Sequence, residues 1–178
     1  MICGCTADRG MGRLTELLYS DYCAEINFVL SDGTSKLEGT ANVQKSDSVK
    51  ISFLSPAELS GMTVESGADG QSGNLFFNYY GMKVPLPQNA LTKLNIALSC
   101  FSDETALALE SLPKKEISDV LYDSSNGSIN AKTCCFKTAG DSISARMTYD
   151  SLSGVPLEFS GSDGVFTAEI YFKKISNP

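Results

Sequence analysis

Histidine is absent from all 178 residues. Its absence removes the commonest general base, the commonest metal ligand and every nucleophilic arrangement that depends on an imidazole. This argues strongly against a conventional hydrolase. Positive charge is also scarce: 14 Lys and Arg face 21 Asp and Glu, giving a net charge of −7 and an isoelectric point near 4.6. Nucleic-acid binding depends on clustered cations that displace counterions, and a membrane-binding polybasic patch needs the same residues, so both are disfavoured. No C-x-x-C pair occurs among the six cysteines. With no histidine to complete a mixed site, zinc is disfavoured and no cofactor is called for. Repeats and low-complexity segments are missing too.

What is present suits one domain. A chain of 178 residues with 42% apolar content can bury a substantial core. The start, MICGCTADRG, carries Ile2, Cys3, Gly4 and Cys5 in the order of a bacterial lipobox, with Cys5 as the lipidated residue and mature N-terminus. The basic and apolar segments of a lipoprotein signal peptide do not precede it, and Cys3 stands where Ala, Ser or Thr is usual. Thr6 to Gly12 is short and polar, suited to a tether between anchor and domain. We therefore divide the chain into a lipobox remnant and tether at 1–12 and one domain at 13–178.

Leu14, Leu17 and Leu18 predict a short helix over Arg13 to Tyr19. Strand patterns follow. Tyr22, Ala24, Ile26, Phe28 and Leu30 alternate with more polar residues, Ser31 to Thr34 turns the chain, and Leu37, Ala41 and Val43 then Val49, Ile51 and Phe53 continue an antiparallel meander. A short strand is expected at Met62 to Ser66. The glycine-rich loop from Gly67 to Gly73 precedes no helix, so it reads as a turn rather than a phosphate cradle.

The stretch from Gly73 to Phe101 organises the rest. Leu75, Phe77 and Tyr79, then Met82, Val84 and Leu86, read as a hairpin closed by prolines, after which Leu91, Leu94, Leu98 and Phe101 fall at helical spacing. Ser102 to Glu104 can cap a second helix ending at Pro113. The β pattern then returns: Ile117 to Tyr122, Ala131 to Thr138, Ile143 to Tyr149, a strand with Val155, Leu157 and Phe159 on one face, and a last strand with Phe166, Ala168, Ile170 and Phe172 on one face. The expected fold is α+β: a strongly curved antiparallel sheet, a half-barrel of about ten strands, with a helical cover inserted mid-chain.

Among candidate sites, Cys134 and Cys135 are adjacent and should point to opposite faces of a strand, while Cys23, Cys100, Cys134 and Cys135 suit the role of small buried hydrophobes, leaving room for one disulfide. Most Asp residues fall in turns or caps. Glu25, Glu38, Glu158 and Glu169 fall on polar strand faces, where two could converge as the acid and base of a glycoside hydrolase, although a solvated outer face is the far commoner explanation. The aromatic residues fit either an ordinary core or the lining of an acyl-chain cavity.

Three landmarks carry a family resemblance: ICGC before a short helix, FLSPAELSGMTVE from Phe53 to Glu65, and YYGMKVPLP from Tyr79 to Pro87 leading into helices. The closing GVPLEFSGSDGVFTAEIYFKKI adds to them. With these the chain resembles the lipoprotein-carrier-like (Lol-type) superfamily, in particular the uncharacterised lipoproteins of Gram-positive bacteria that share its fold. The resemblance implies a curved sheet wrapped on helices with space for lipid acyl chains, and no catalytic residues to carry over. The function expected is that of a non-catalytic, extracytoplasmic bacterial lipoprotein held at the cell membrane through Cys5. It would bind a hydrophobic ligand against Ile26, Phe28, Phe53, Phe77, Tyr79, Leu94, Leu98, Phe101 and Phe172. The alternatives are a scaffold that binds an envelope or spore enzyme, and the glycoside hydrolase.

Overall fold

The computed structural model describes residues 8–66, 76–79, 81–85, 88–124, 127–138, 140 and 142–177. Helix α1 spans Arg9–Tyr19 and is capped by Asp8, whose carboxylate accepts from the backbone N–H of Gly10 at 3.1 Å and of Met11 at 3.2 Å. It starts four residues before the leucine spacing expected, taking in part of the stretch read as tether. The leucines mark only the face of α1 that meets the core. Its first turn is held instead by close backbone approach, since a Cβ on Gly10 would lie 2.6 Å from the Ser151 carbonyl oxygen.

Six strands follow: β1 (Tyr22–Ser31), β2 (Lys36–Lys45), β3 (Val49–Ser55), β4 (Thr63–Glu65), β5 (Phe76–Tyr79) and β6 (Met82–Pro85). Helices α2 (Gln88–Ser99) and α3 (Asp103–Glu110) come next, then β7 (Ile117–Ser124), β8 (Gly127–Thr138), β9 (Ile143–Asp150), β10 (Pro156–Ser162) and β11 (Thr167–Ser176). All eleven strands form one curved, open antiparallel sheet in the order β6-β5-β4-β3-β2-β1-β11-β10-β9-β8-β7. The α+β class and the mid-chain helical cover are as expected, and the strand count is one above the expected number.

This order dictates where the helices lie. The first meander ends at one edge, β6, and the second begins at the opposite edge, β7, so the segment between them must cross a face of the sheet. Accordingly α2 packs on β10 and β11, and α3 packs on β8 and α1. The covered face holds the core, with Ile26, Val43, Ile51, Phe159 and Ile170 from the strands meeting Leu14, Leu18, Ile96, Phe101 and Leu109 from the helical side. Burying these side chains supplies the main drive for folding. The β1 burial pattern alternates as the sequence does.

Bulges extend one expected face and correct another. Opposite β1 the register passes from Ile26↔Phe172 to Glu25↔Lys174, leaving Lys173 extra, so Ile175 joins Phe172 in packing on the core. In β10 the register passes from Pro156↔Tyr149 to Glu158↔Thr148, leaving Leu157 extra. Pro156 and Phe159 are therefore the buried pair, while Val155 is exposed and Leu157 only half-buried. An inserted residue inverts the two-residue periodicity on one side of it, and no local pattern announces the insertion.

Candidate functional site

Most of the residues expected to line a ligand cavity form a packed cluster. Ile26, Phe28, Phe53, Leu98 and Phe101 are all buried, and Leu94 and Phe172 are partly buried against them. The rings of Phe28 and Phe53 meet edge to face with centroids 5.4 Å apart, and those of Phe101 and Phe172 do so at 6.0 Å. Phe77 and Tyr79 belong to β5, but their side chains, like that of Leu91, lie outside the described residues, as does Cys5. Phe101 lies just beyond α2, in an elbow fixed by the Ser99 carbonyl, which accepts from the Ser102 hydroxyl at 2.8 Å and the Thr105 hydroxyl at 2.6 Å. This elbow turns α2 into α3 and drives Phe101 into the core.

Open space lies at β8 to β11 beside the α3 region. The register aligns Phe136, Ala145, Gly161 and Ala168 in one row across β8, β9, β10 and β11. Three of those four side chains are very small. A cleft of about 680 Å³ is bordered by Ala108 and Leu112 of the α3 region, by this row, and by strand residues that alternate with it and point to the opposite sheet face, among them Cys135, Lys137, Arg146 and Glu169. Ile96 of α2 closes over Gly161, where an added Cβ would lie 2.9 Å from its Cγ2. Sequence reasoning missed this row because Ala and Gly read locally as weak strand residues. Their shared level appears only once four strands are in register.

Of the four glutamates, Glu158 and Glu169 come together. Glu158 faces Tyr171, and Glu169 lies diagonally, opposite Ser160. Partial burial, and then the Glu169 charge, raise the Glu158 pKa above the usual carboxylate value, with Arg146 opposing. The Tyr171 hydroxyl donates to Glu169 at 2.9 Å, and its own pKa is pushed up to about 12 by burial and by that carboxylate. Glu25 and Glu38 pair instead with Lys173 at 3.9 Å and Lys36 at 3.1 Å.

Two lysines tie the helices to the sheet. Lys45 points inward from the end of β2, with its side chain 7% exposed, and donates to the Leu18 carbonyl at the end of α1 and to Asp103 of α3 at 2.6 Å. Lys132 of β8 donates to Asp8 at 2.7 Å. Burial alone would raise the Asp8 pKa, but Lys132 and the capped N–H groups outweigh it and leave that pKa lowered. The Tyr22 hydroxyl is buried without a hydrogen-bond partner.

Cys134 is buried and Cys135 exposed, on opposite faces as expected, and Cys23, Cys100, Cys134 and Cys135 are all free thiols. Cys100 is buried, whereas Cys23 is only partly so. Among the described residues no three Cys, Asp or Glu side chains are grouped to hold a metal ion, and no helix is long and apolar enough to cross a membrane.

These features define an α+β protein in which one open antiparallel sheet carries a helical cover over a largely filled concave face. No family model matches the chain, and no curated protein matches it in sequence. Solved structures that it resembles include an uncharacterised conserved protein from Thermus thermophilus, at 12% identity and TM-score 0.49, over 95% of this chain and 85% of that one. Another is LprF from Mycobacterium bovis, at 7% identity and TM-score 0.48, over 97% and 95%. A LolA superfamily protein from Nitrosomonas europaea aligns at 6% identity and TM-score 0.45, over 95% and 92%. At these values the likenesses carry no argument about ligand, partner or activity.

Proposed function

We propose that this chain is a non-catalytic, extracytoplasmic bacterial lipoprotein of the Lol-type superfamily's Gram-positive branch, tethered through Cys5. In this reading it holds a lipid acyl chain between sheet and helices. The observation that carries the reading is the cleft of about 680 Å³ bordered by Ala108 and Leu112 of the α3 region and by strands β8 to β11. Native mass spectrometry of the protein purified from a bacterial host tests it. A retained lipid supports the reading, and protein that is ligand-free both as purified and after incubation with lipid overturns it. Intact-mass analysis of the full-length gene product tests the anchor, since an unmodified Cys5 ends that part of the reading.

A second reading is favoured by the packing of the expected site. Because Ile26, Phe28, Phe53, Leu98 and Phe101 are buried against one another, the same fold serves as a scaffold that binds and supports an envelope or spore enzyme. Stoichiometric co-purification of a protein partner from the native organism, with no lipid retained, selects it.

A further inference from the structure

The N-terminal end of α1 lies beside apolar side chains that the fold leaves uncovered. Leu121 of β7 pairs with Asn130 and shares its sheet face with Asp119, which pairs with Lys132, and with Ile117. Ile117 packs on the core, and Lys132 reaches Asp8 at the start of α1. Beyond that point the helical cover stops, and Leu121 is left 67% exposed on the face that is buried elsewhere. Leu152, 76% exposed, borders the same depression as Leu121, Lys132 and Asp119, whose side chain is 89% exposed and 3.8 Å from the Lys132 ammonium. Its carbonyl accepts from Arg13 Nη1 of α1 at 2.7 Å, so the 151–154 turn and the helix start form one surface. The chain has only three arginines, and two of them, Arg9 and Arg13, are exposed in the first turns of α1, although the net charge is −7.

We infer that this end of the molecule is a membrane-docking surface whose partner is an anionic lipid bilayer: Leu121 and Leu152 enter the interface while Arg9 and Arg13 meet lipid phosphates. The inference rests on the reading of Cys5 as the anchor. Three residue steps separate Cys5 from Asp8, a reach of about 10 Å at full extension. An acylated Cys5 therefore holds this end, and no other, against the headgroups. Exposed leucines beside arginines suit that boundary, where apolar side chains reach the acyl region and cations pair with anionic headgroups. The tether sets the distance and the patch sets the orientation, turning the far ends of β10 and β11 away from the membrane.

The absence of tryptophan from the chain makes a direct test available. The full chain is prepared with a hexahistidine tag before Met1 and with Cys3 and Cys5 changed to Ser. It is then tethered to phosphatidylglycerol-containing vesicles through a nickel-chelating lipid, so the result does not depend on whether Cys5 is acylated. Leu152→Trp, Leu121→Trp and, at the far turn between β10 and β11, Val165→Trp are compared using acyl-brominated lipid. Docking predicts roughly twofold quenching at 152 and 121, as for side chains at the acyl boundary, with none at 165, and loss of the quenching when Arg9→Gln and Arg13→Gln are combined. Equal quenching at the three positions, or none at 152 and 121, overturns the proposal even if intact mass shows that Cys5 is lipidated. An unmodified Cys5 together with positive quenching would sink the anchor and leave the surface. Because 121 and 152 lie on separate elements, misfolding of one variant leaves the other to decide.

Discussion

The Lys132 ammonium lies 2.7 Å from the Asp8 carboxylate, so the residue that caps α1 also fastens that helix to β8. Asp8→Ala removes both functions. The expected cost is about 1–2 kcal/mol from the lost cap alone, read as a lower urea midpoint with an unchanged slope. Asp8→Asn keeps an acceptor for the backbone N–H groups and should recover part of the loss.

The same pair sets a pH dependence. Asp8 has its folded pKa lowered, as does Asp150, which accepts from the Ser153 backbone N–H and hydroxyl. A lowered folded pKa adds stability that is complete above the unfolded value, near 4, and is lost as pH falls through the folded value. The contribution of these two groups should therefore be flat from pH 7 down to about 5 and fall below 4, and Asp8→Asn should flatten the acid limb. An acid limb unchanged in that variant would remove Asp8 from the account.

Lys45 and Asp103 should respond unequally to mutation. Asp103→Ala leaves a nearly buried ammonium with the Leu18 carbonyl as its one remaining described acceptor, at an expected cost of about 2–3 kcal/mol. Lys45→Met removes the charge and keeps the apolar stem, so it should cost less. Equilibrium denaturation of the two variants checks the order, and the reverse order would mean that the ammonium is hydrated.

Tyr22→Phe should preserve or raise stability, by up to about 1 kcal/mol, because it deletes a buried hydroxyl that has no partner. A lower melting temperature would show that the hydroxyl is satisfied by a bound water.

Ala108 is half-buried on the edge of the cleft beside Leu112. Ala108→Phe should fill that edge, keeping the melting temperature within a few degrees while lowering the lipid retained in native mass spectra severalfold. Retention unchanged by this substitution would place any bound lipid elsewhere.

Among Cys23, Cys100, Cys134 and Cys135, alkylation in the folded state should mark Cys135 first. Cys134 is buried with its thiol pKa pushed up to about 12, and burial raises the Cys100 thiol as well, so neither should react until the protein unfolds. Peptide mapping after iodoacetamide treatment at pH 8 reads the order directly.

The sequence by itself determined the elements. Alternation of large apolar residues specified β1 as observed, the Ser102 cap and helical spacing specified α2 and α3, and the change from strand to helix spacing marked that the chain leaves the sheet between β6 and α2. These signals are local, because side-chain periodicity and capping depend on residues a few positions apart. Only the tertiary structure decided which strand edges the helices bridge, where Lys173 and Leu157 shift the register, and which side chains meet at one level. Lys45 with Leu18 and Asp103, Asp8 with Lys132, and the row of Phe136, Ala145, Gly161 and Ala168 all join residues far apart in the chain. Their proximity follows from strand order and register, which a one-residue insertion alters and a local pattern does not encode. For the same reason the aromatic residues read equally well as core or cavity lining in the sequence. The difference rests on how closely Phe101 approaches Phe172 and Phe28 approaches Phe53.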